Sequence, residues 1–535
     1  MTETPPRRPV ARMHVESREC SPQLLERLIG ATYFPERLLG PAIVNTVCRE
    51  GGHLLYVTAP PMLDADRQVD YYLGLLSGGG RAAEDSGDLA GEGSASRPGE
   101  DCGGRPGEGS RDRLGGPSDA RERIRIVTLD DASSRWLSEK VLDPAGAEAA
   151  SVRDALREFA TDRRRAGADV RLSYFEPSRP LELLARDLGV PGTQPSSAHI
   201  PLGTKHASRR LFAAAGVPVP AGGELCHGPA ELAAAVADLV RAGRRKVVLK
   251  LDSTAYGGGL GNALLELDDS LLSVTDDSLE KLVWDALPHA SLVDGRITWD
   301  DFVALMEESG AIAEEMIEGA PLHSPSFQGR LTDAGEAVAV STHDQVLGTG
   351  GQSYTGCSFP ARDDYRQAVV DCGLRVGKAL LDLGVDAGDY GVDFLAVRSG
   401  SAWRLLGCEV NLRATATKHP FTMAAGLLGT DPTPDGRFVV DGTEYVYEAS
   451  DGIMDRRFEG LRPAQLIDAV TASPLGFDPA RGTGVVLHLM SPVTRYGKFG
   501  ALCVGRDRAE AAGLMSRLRE LVGGLQPERT PAPPD

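Results

Sequence analysis

One segment constrains the fold of this chain more than any other, namely GVDFLAVRSGSAWRLLGCEVNLRAT (391–415). Its first part is apolar and rich in residues that favour strands, residues 399–401 are typical of a turn, and residues 403–410 favour a second strand. The segment therefore predicts a β-hairpin.

Three polar side chains of this hairpin are expected to converge. Side chains alternate across a strand, so Glu409 and Asn411 share one face. Counting back from the turn places Asp393 opposite Cys408, next to Glu409. Buried carboxylates repel each other unless a cation compensates them, and Mg²⁺ prefers hard oxygen ligands. The hairpin is a candidate metal site, although an acidic surface turn would have the same pattern.

Two upstream segments suggest a site for phosphate groups. KVVLKLDSTAYGGGLGN (246–262) is an apolar run that ends at Lys250 and is followed by a glycine-rich loop. Glycines let backbone N–H groups approach phosphate oxygens. Another strand-like run follows the loop, which argues against a dinucleotide fingerprint. AIAEEMIEG (311–319) is an acidic and apolar stretch that has the character of a hinge.

In this order and at this spacing, the three segments resemble the ATP-grasp superfamily. The resemblance implies that Asp393, Glu409 and Asn411 bind Mg²⁺ (Mn²⁺ is a possible substitute). It implies catalytic roles for Lys250, as a phosphate contact, and for Arg413, which would steady the transferred phosphate. The remaining contacts to ATP implied by the resemblance are a glycine flap, an adenine hinge and a cation at the start of the fold, assigned to Gly257, Gly258, Gly259, Gly261, Glu314, Glu315, Met316, Ile317, and Arg209 or Lys205.

The expected ribose contact departs from this pattern. Pro321 stands where many relatives have a glutamate, so either Glu318 or His323, or no residue, takes that role.

A narrower resemblance concerns the pheganomycin-type peptide ligases. It lies in residues 324–331, 341–361, 409–420 and 483–505, and in the region near the N-terminus. It implies an ATP-dependent, ADP-forming enzyme that joins a carboxylic acid to an amine or peptide through an acyl phosphate, in peptide or specialised-metabolite biosynthesis. Two alternatives stay open: a phosphotransferase acting on another acceptor, and a non-catalytic nucleotide-binding component of a biosynthetic complex.

Four further residues are candidates for contacts to the substrates. His343, Asp344 and Gln345 follow a strand-like run, and His419 follows the metal hairpin. A structural role is at least as compatible with these positions. Cys357 lies in a glycine-rich loop without a histidine partner, so the sequence does not favour a thiol nucleophile.

Composition limits the partners of the chain. The net charge of −19 argues against binding to nucleic acid or to an anionic membrane. No signal peptide and no long apolar stretch is evident, and the eight cysteines are scattered without C-x-x-C pairs. These features predict a cytoplasmic enzyme with reduced thiols, which could form a homo-oligomer.

The fold class implied by the resemblance is mixed α/β and α+β. It is an ATP-grasp fold preceded by a pre-ATP-grasp α/β domain and followed by a small α+β domain. The expected division of the chain is a disordered tail (1–16), the pre-ATP-grasp domain (17–200) with a disordered insert (77–120), the ATP-grasp domain (201–434), the C-terminal domain (435–525) and a disordered tail (526–535). The insert is rich in Gly, Ser, Asp and Arg and has too few large apolar residues to form a core.

Overall fold

The computed structural model describes residues 8–16, 19, 25–26, 28–76, 117–254, 259–274, 278–348 and 354–527. The predicted tail ends and most of the predicted insert lie outside these residues, as do Gly257 and Gly258 of the predicted flap. The last four residues of that insert are an exception, because they belong to the helix Pro117–Arg121. Ala120 of this helix is buried, which is why this part of the predicted insert is ordered.

The N-terminal region contains a parallel four-stranded sheet. Its strands are β1 (Val10–Val15), β2 (His53–Thr58), β3 (Ile124–Thr128) and β4 (Asp169–Ser173), in the order β3-β2-β1-β4. Placing residues 10–15 in a disordered tail was therefore wrong. Ala11, Met13 and Val15 alternate with polar residues and are fully buried in the core. Arg12 and His14 alternate with these apolar residues, and for this reason the sequence of the segment resembles that of a polar tail.

Helices cover this sheet. They are α1 (Leu39–Ala42), α2 (Ala65–Gly74), α3 (Pro117–Arg121), α4 (Leu137–Leu142), α5 (Ala147–Arg165) and α6 (Arg179–Leu188). A 3-10 turn (Ala31–Leu38) precedes α1, and a wide helical turn (Ile43–Arg49) follows it. The hydrophobic face of α5 packs Val152 and Leu156 against the sheet.

A second sheet is antiparallel and carries the glycine-rich loop. Its order is β5-β9-β6-β7-β8, with β5 (Gly222–Cys226), β6 (Lys246–Leu251), β7 (Asn262–Glu266), β8 (Ser291–Leu292) and β9 (Ala311–Glu315). The surrounding helices are α7 (Lys205–Ala214), α8 (Pro229–Arg241), α9 (Ser278–Ala286) and α10 (Trp299–Ser309). The predicted strand before Lys250 and the predicted strand after the loop are β6 and β7.

The third sheet has ten strands and contains the hairpin. Its strands are β10 (Leu322–His323), β11 (Pro325–Leu331), β12 (Ala337–Leu347), β13 (Tyr354–Phe359), β14 (Gly388–Ser399), β15 (Ala402–Asn411), β16 (Phe438–Val440), β17 (Thr443–Met454), β18 (Gly484–His488) and β19 (Lys498–Gly505). The main path is β10-β14-β11-β12-β13-β17-β19-β18, with β15 on β14 and β16 on β17. The sheet thus continues across the predicted boundary between the ATP-grasp domain and the C-terminal domain, at residues 434 and 435, because β13 pairs with β17.

The C-terminal unit also packs on the N-terminal region. Its helices are α13 (Pro463–Ala472), α14 (Pro492–Tyr496) and α15 (Arg508–Gly523); α11 (Asp363–Asp382) and α12 (Lys418–Leu428) precede it. The Tyr72 hydroxyl donates to the Leu487 carbonyl at 3.1 Å, and the Ser491 N–H donates to Glu36 at 2.9 Å. One hydrophobic core includes residues of both regions, so the two stabilise each other.

Two general features follow from this packing. None of the helices in the described residues combines the length and the apolar character that crossing a membrane requires. The six described cysteines are all unpaired thiols, and burial raises the pKa of the Cys357 thiol to about 12. Such a thiol is not a nucleophile at neutral pH.

Candidate active site

The hairpin formed by β14 and β15 contains a bulge at the predicted metal site. Asp393 pairs directly with Glu409, whereas Phe394 pairs with Gly407. Cys408 is the extra residue, so the expected pairing of Asp393 with Cys408 was wrong by one position. Counting from the turn cannot detect an inserted residue, and this bulge brings the two carboxylates directly opposite each other.

Asp393 lies at the centre of the polar set. Gln345 donates to its Oδ1 atom at 2.7 Å, and Asn411 donates to its Oδ2 atom at 3.3 Å. Burial and the neighbouring Glu409 carboxylate raise the pKa of Asp393 to about 7. A bound cation would relieve this repulsion, and two carboxylates with an amide oxygen are ligands that suit Mg²⁺. The donor set therefore fits the metal.

Lys205, and not Arg209, lies at this site. Lys205 Nζ is 3.2 Å from Glu409 Oε1 and donates to the Ser253 carbonyl at 3.3 Å. Arg209, one turn later on α7, points away and lies 2.6 Å from Glu314. Of the two alternatives from the sequence, the geometry favours Lys205 as the additional phosphate contact.

Arg209 pairs with one carboxylate oxygen of Glu314, and Lys250 pairs with the other. Its Nζ atom is 2.5 Å from Glu314 Oε2, and the Glu314 side chain is only 2% exposed. Glu314 therefore positions two cations and is not available for hydrogen bonds to a base. The Glu315 carboxylate accepts from the Ala221 N–H at 3.0 Å and from Arg244 Nε at 2.8 Å.

Arg413 lies at the boundary with the N-terminal region. Its Nε atom is 3.0 Å from Glu176 Oε1, and its Nη1 atom donates to the Ala414 carbonyl at 3.0 Å. The Phe175 ring packs against the guanidinium, with 5.8 Å between the ring centroid and Cζ. These contacts restrict where the guanidinium can reach.

Two cavities meet at Asp393 and Glu409. The first, here called the nucleotide cavity, has a volume of about 550 Å³ and is lined by Lys205, Lys250, Gly259 and the hinge residues 314–317. The second, here called the substrate cavity, has a volume of about 320 Å³ and includes Arg413 and Asn411. Both volumes are typical of small-molecule sites. The residues common to both linings are Gln345, Tyr354, Asp393 and Glu409.

The described part of the glycine loop reaches the nucleotide cavity. Gly259 has a φ of +82°, a conformation that suits glycine, and it lines the cavity. The Gly261 carbonyl accepts a hydrogen bond from the Leu251 N–H, which joins the loop to the end of β6.

The two alternatives for the ribose contact differ in position. His323 lines the nucleotide cavity and packs against Trp403, with 5.3 Å between ring centroids. Glu318 is exposed and pairs with Lys246 at 2.6 Å. His323 is therefore the better placed of the two.

The expected substrate contact at His343 was wrong. His343 is fully buried, its Nε2 atom is 2.6 Å from the Tyr447 hydroxyl, and burial lowers its pKa to about 3. Asp344 points to the opposite face because side chains alternate along β12. It lines the nucleotide cavity and accepts from the Tyr365 hydroxyl at 2.6 Å.

Four residues of the substrate end were missed in the sequence. Asp451 and Lys498 line the substrate cavity, as does Arg37. His419 Nε2 and His488 Nε2 lie 2.9 Å and 2.7 Å from Asp451 Oδ1. No motif linked these residues, which lie on α12, β17, β18, β19 and in the N-terminal region. The His488 position at the end of an apolar strand was the one available signal.

A third cavity of about 560 Å³ lies between α7 and α11. Its lining is mostly aliphatic, and Arg210, Arg375, Lys378 and Asp382 are its charged residues. None of the described hairpin or loop residues lines it, so we propose the junction of the other two cavities as the active site.

Comparison with known proteins shows what the chain as a whole is similar to. The L-propargylglycine–L-glutamate ligase of Streptantibioticus cattleyicolor is 28% identical over 415 residues, which are 77% of this chain and 80% of that protein. A family model described as the PGM1 C-terminal domain matches residues 465–518.

Solved structures extend the comparison to the fold. The biotin carboxylase domain of the 2-oxoglutarate carboxylase of Hydrogenobacter thermophilus matches with a TM-score of 0.50 at 11% identity, covering 96% of this chain and 90% of that one. The biotin carboxylase of Campylobacter jejuni gives a TM-score of 0.48 at 12% identity, covering 96% and 94%. The first match confirms the predicted ATP-grasp fold.

Proposed function

We propose that this chain is an ATP-dependent ligase that forms an amide between a carboxylic acid and an amine or peptide, releasing ADP. The observation that carries the proposal is the position of Asp393 and Glu409. They lie where a cavity lined by Lys250 and the hinge meets a second cavity suited to a small polar molecule. Phosphate from one cavity and a carboxylate from the other would meet there.

The relatives support this reaction class. The similar protein from Streptantibioticus cattleyicolor is by name a ligase of two amino acids. The Hydrogenobacter thermophilus structure contains MgADP, which is consistent with ATP and Mg²⁺ as the cofactors here. Mn²⁺ is a further candidate for the same oxygen ligands.

The first step transfers phosphate to the carboxylic acid. A carboxylate oxygen attacks the γ-phosphorus, and the bond between this phosphorus and the oxygen of ADP breaks. Lys250 and Lys205 lie on the nucleotide side and offset the negative charge of the phosphates. Arg413 lies on the substrate side, where charge develops on the transferred group.

The metal would be held by Asp393, Glu409 and the amide oxygen of Asn411, and when bound it would neutralise phosphate charge. The Asn411 amide now donates its N–H to Asp393, so binding requires that the amide turns its oxygen inward. Gln345 keeps Asp393 in place in either state.

In the second step the amine attacks the acyl carbon. The bond between this carbon and the phosphate oxygen breaks, the amine proton is released, and the products are an amide and inorganic phosphate. Leu28, Phe34 and Phe175 form an apolar side of the substrate cavity. This side limits access of water, which would otherwise hydrolyse the acyl phosphate.

Trapping with hydroxylamine tests the proposal. The protein is incubated with Mg-ATP, hydroxylamine and a panel of carboxylic acids, and hydroxamate, ADP and AMP are measured. We expect a hydroxamate and stoichiometric ADP with at least one acid. AMP and pyrophosphate would indicate adenylation, and a stable phosphorylated product would indicate the phosphotransferase alternative.

If no carboxylic acid of the panel reacts, a measurement of nucleotide binding decides between the remaining alternatives. Nucleotide binding without turnover of any acid, in protein that melts cooperatively, would favour the non-catalytic alternative. Glu520→Gln, an exposed change on α15 that is purified in the same way, should match the wild-type protein in every assay.

A further inference from the structure

The substrate end of the cavity contains an unusual combination of charges. Three cations line it: Arg37, Arg413 and Lys498. Arg37 pairs with Glu16 at 2.9 Å, and Arg413 pairs with Glu176 at 3.0 Å. Lys498 differs, since no carboxylate of the described residues lies within 4.0 Å of its Nζ atom.

The surroundings of Lys498 favour binding of an anion. Its Nζ atom donates to the Ile29 carbonyl at 2.9 Å and lies 5.4 Å from the centroid of the Phe34 ring. Burial lowers the pKa of Lys498, although Asp451 acts in the opposite direction. A partly buried ammonium that forms no ion pair with the described residues gains from an anionic ligand in the adjoining cavity.

A carboxylate is presented to the same cavity by a bulge. β17 pairs with β19 through Ser450 and again from Ile453 onward, so the two residues between them leave the ladder. Asp451 is one of these residues, and the bulge directs its side chain towards the cavity.

The two oxygens of Asp451 have different surroundings. Oδ1 lies 2.9 Å from His419 Nε2 and 2.7 Å from His488 Nε2, and the two nitrogens are 3.3 Å apart. Oδ2 accepts no hydrogen bond from the described residues, and Arg37 Nη1 is 4.0 Å away. Burial opposes ionisation, but the two histidines hold the pKa of Asp451 well below its usual value. An ionised oxygen therefore faces the cavity.

We propose that Asp451 and Lys498 form a recognition subsite for the head group of an α-amino acid, with Asp451 Oδ2 accepting from its ammonium and Lys498 pairing with its carboxylate. His419 and His488 are positioning residues, because they hold Asp451 through Oδ1. The inference rests on the proposed ligase function and adds the chemistry of one substrate to it.

The head group has two possible sources. It belongs either to an acid that is phosphorylated on its side-chain carboxylate or to an amino acid that attacks through its side-chain amine. In the sheet, β11, β12 and β13 lie between β14, which carries Asp393, and β17, which carries Asp451. This spacing suits a substrate whose reacting group lies some distance from its head group.

Blocked substrates test the subsite in the unmodified protein. L-Aspartate, L-glutamate and L-lysine, whose side chains carry a carboxylate or an amine that stays free when the head group is blocked, are each supplied free, N-acetylated and as the α-amide, with Mg-ATP. Hydroxamate formation reports a role as the acid, and amide formation with a second amino acid reports a role as the amine. We expect at least one free amino acid to exceed both blocked forms by roughly 10- to 100-fold in kcat/KM, as loss of a charged hydrogen bond implies.

Variants then test which residue recognises the carboxylate of the head group and which recognises its ammonium. Lys498→Met should lower kcat/KM for the free amino acid by roughly 10- to 100-fold and for its α-amide by less than about 3-fold. Lys498→Arg should restore most of the loss. Asp451→Asn should remove the discrimination against the N-acetylated form. Lys378→Met, an exposed lysine on α11, is the matched control.

Three results would overturn the subsite. The first is equal loss for free and amidated substrates in Lys498→Met. The second is turnover of other carboxylic acids while every amino acid is inert, which leaves the ligase function intact. The third is a stoichiometric transition metal, measured by mass spectrometry and lost in His488→Ala, because Asp451 would then be a metal ligand. Blocked substrates need no variant, so a misfolded variant does not weaken the test.

Discussion

Arg413 Nε lies 3.0 Å from Glu176 Oε1, and this contact joins the metal hairpin to the N-terminal region. Glu176 also accepts a hydrogen bond from the Glu19 N–H at 2.8 Å, so its own position is restrained. The proposed phosphate-stabilising arginine is thus held by a residue outside the ATP-grasp region.

Arg413→Met tests this role. We expect turnover to fall by about 10²–10³-fold, as for other residues that stabilise developing charge, while ATP affinity changes much less. Glu176→Gln should lower turnover in the same direction by a smaller factor, because Arg413 keeps its charge but loses its support. Single-turnover kinetics and nucleotide titration separate the two effects. Equal losses of affinity and turnover would make Arg413 a ground-state contact.

Glu409→Gln tests the metal set. The change removes one charge at constant volume, so Asp393 loses its repulsive neighbour while the proposed metal loses a ligand. ADP release should become undetectable, and the melting temperature should stay the same or rise. Wild-type turnover at ordinary Mg²⁺ would refute the assignment, and Glu520→Gln serves as the control for a surface change of the same kind.

Gly500→Ala tests the support of Asp451. A Cβ atom at residue 500 would lie 2.3 Å from His488 Nε2, so the imidazole would have to leave Asp451. We expect kcat/KM for amide formation to fall by at least about 10-fold, the scale of a lost hydrogen bond to a charged group. The control is Gly513→Ala on α15, where the added methyl group would contact nothing within 4 Å. Similar activity of the two variants would contradict the predicted contact.

Glu36→Gln tests the contact between the N-terminal and C-terminal regions through the dependence of stability on pH. Burial raises the pKa of Glu36 to about 7 from its usual 4.5, and Oε1 has no hydrogen-bond partner among the described residues. Between these values the folded protein keeps a proton that the unfolded chain releases, so stability falls as pH rises through this window.

Glutamine does not titrate, so the variant does not lose stability through this window. The free energy of unfolding of the variant relative to that of the wild type should therefore rise from pH 4.5 to about 7 and then stay constant. The change should be on the order of 3 kcal/mol, from about 1.4 kcal/mol for each pKa unit. Thermal melting of both proteins across this range measures it. Parallel curves would mean that Glu36 is not buried as described.

The elements with a strong local pattern could be predicted from the sequence. The turn at 399–401 predicted the hairpin, and the apolar runs before and after the glycine-rich loop predicted β6 and β7. The ends of these elements depend on local chemistry, which a single sequence contains.

What could not be predicted depends on contacts between distant residues. Cys408 bulges beside a contact between β15 and α7, in which the Val410 N–H donates to the Ser208 hydroxyl, and the sequence of the hairpin does not contain this contact. Asp451 and His488 meet only because β17 and β18 both border β19. The choice between Lys205 and Arg209 required the direction of α7 relative to β15.

Among the described residues, the two cavities have only Gln345, Tyr354, Asp393 and Glu409 in common. The residues that would choose a substrate, at the bulge of β17 and the start of β19, take no part in the nucleotide cavity. Substitutions there can alter which molecules are joined while the machinery that consumes ATP is preserved. An enzyme built in this way can acquire new substrates through changes confined to its last hundred residues or so.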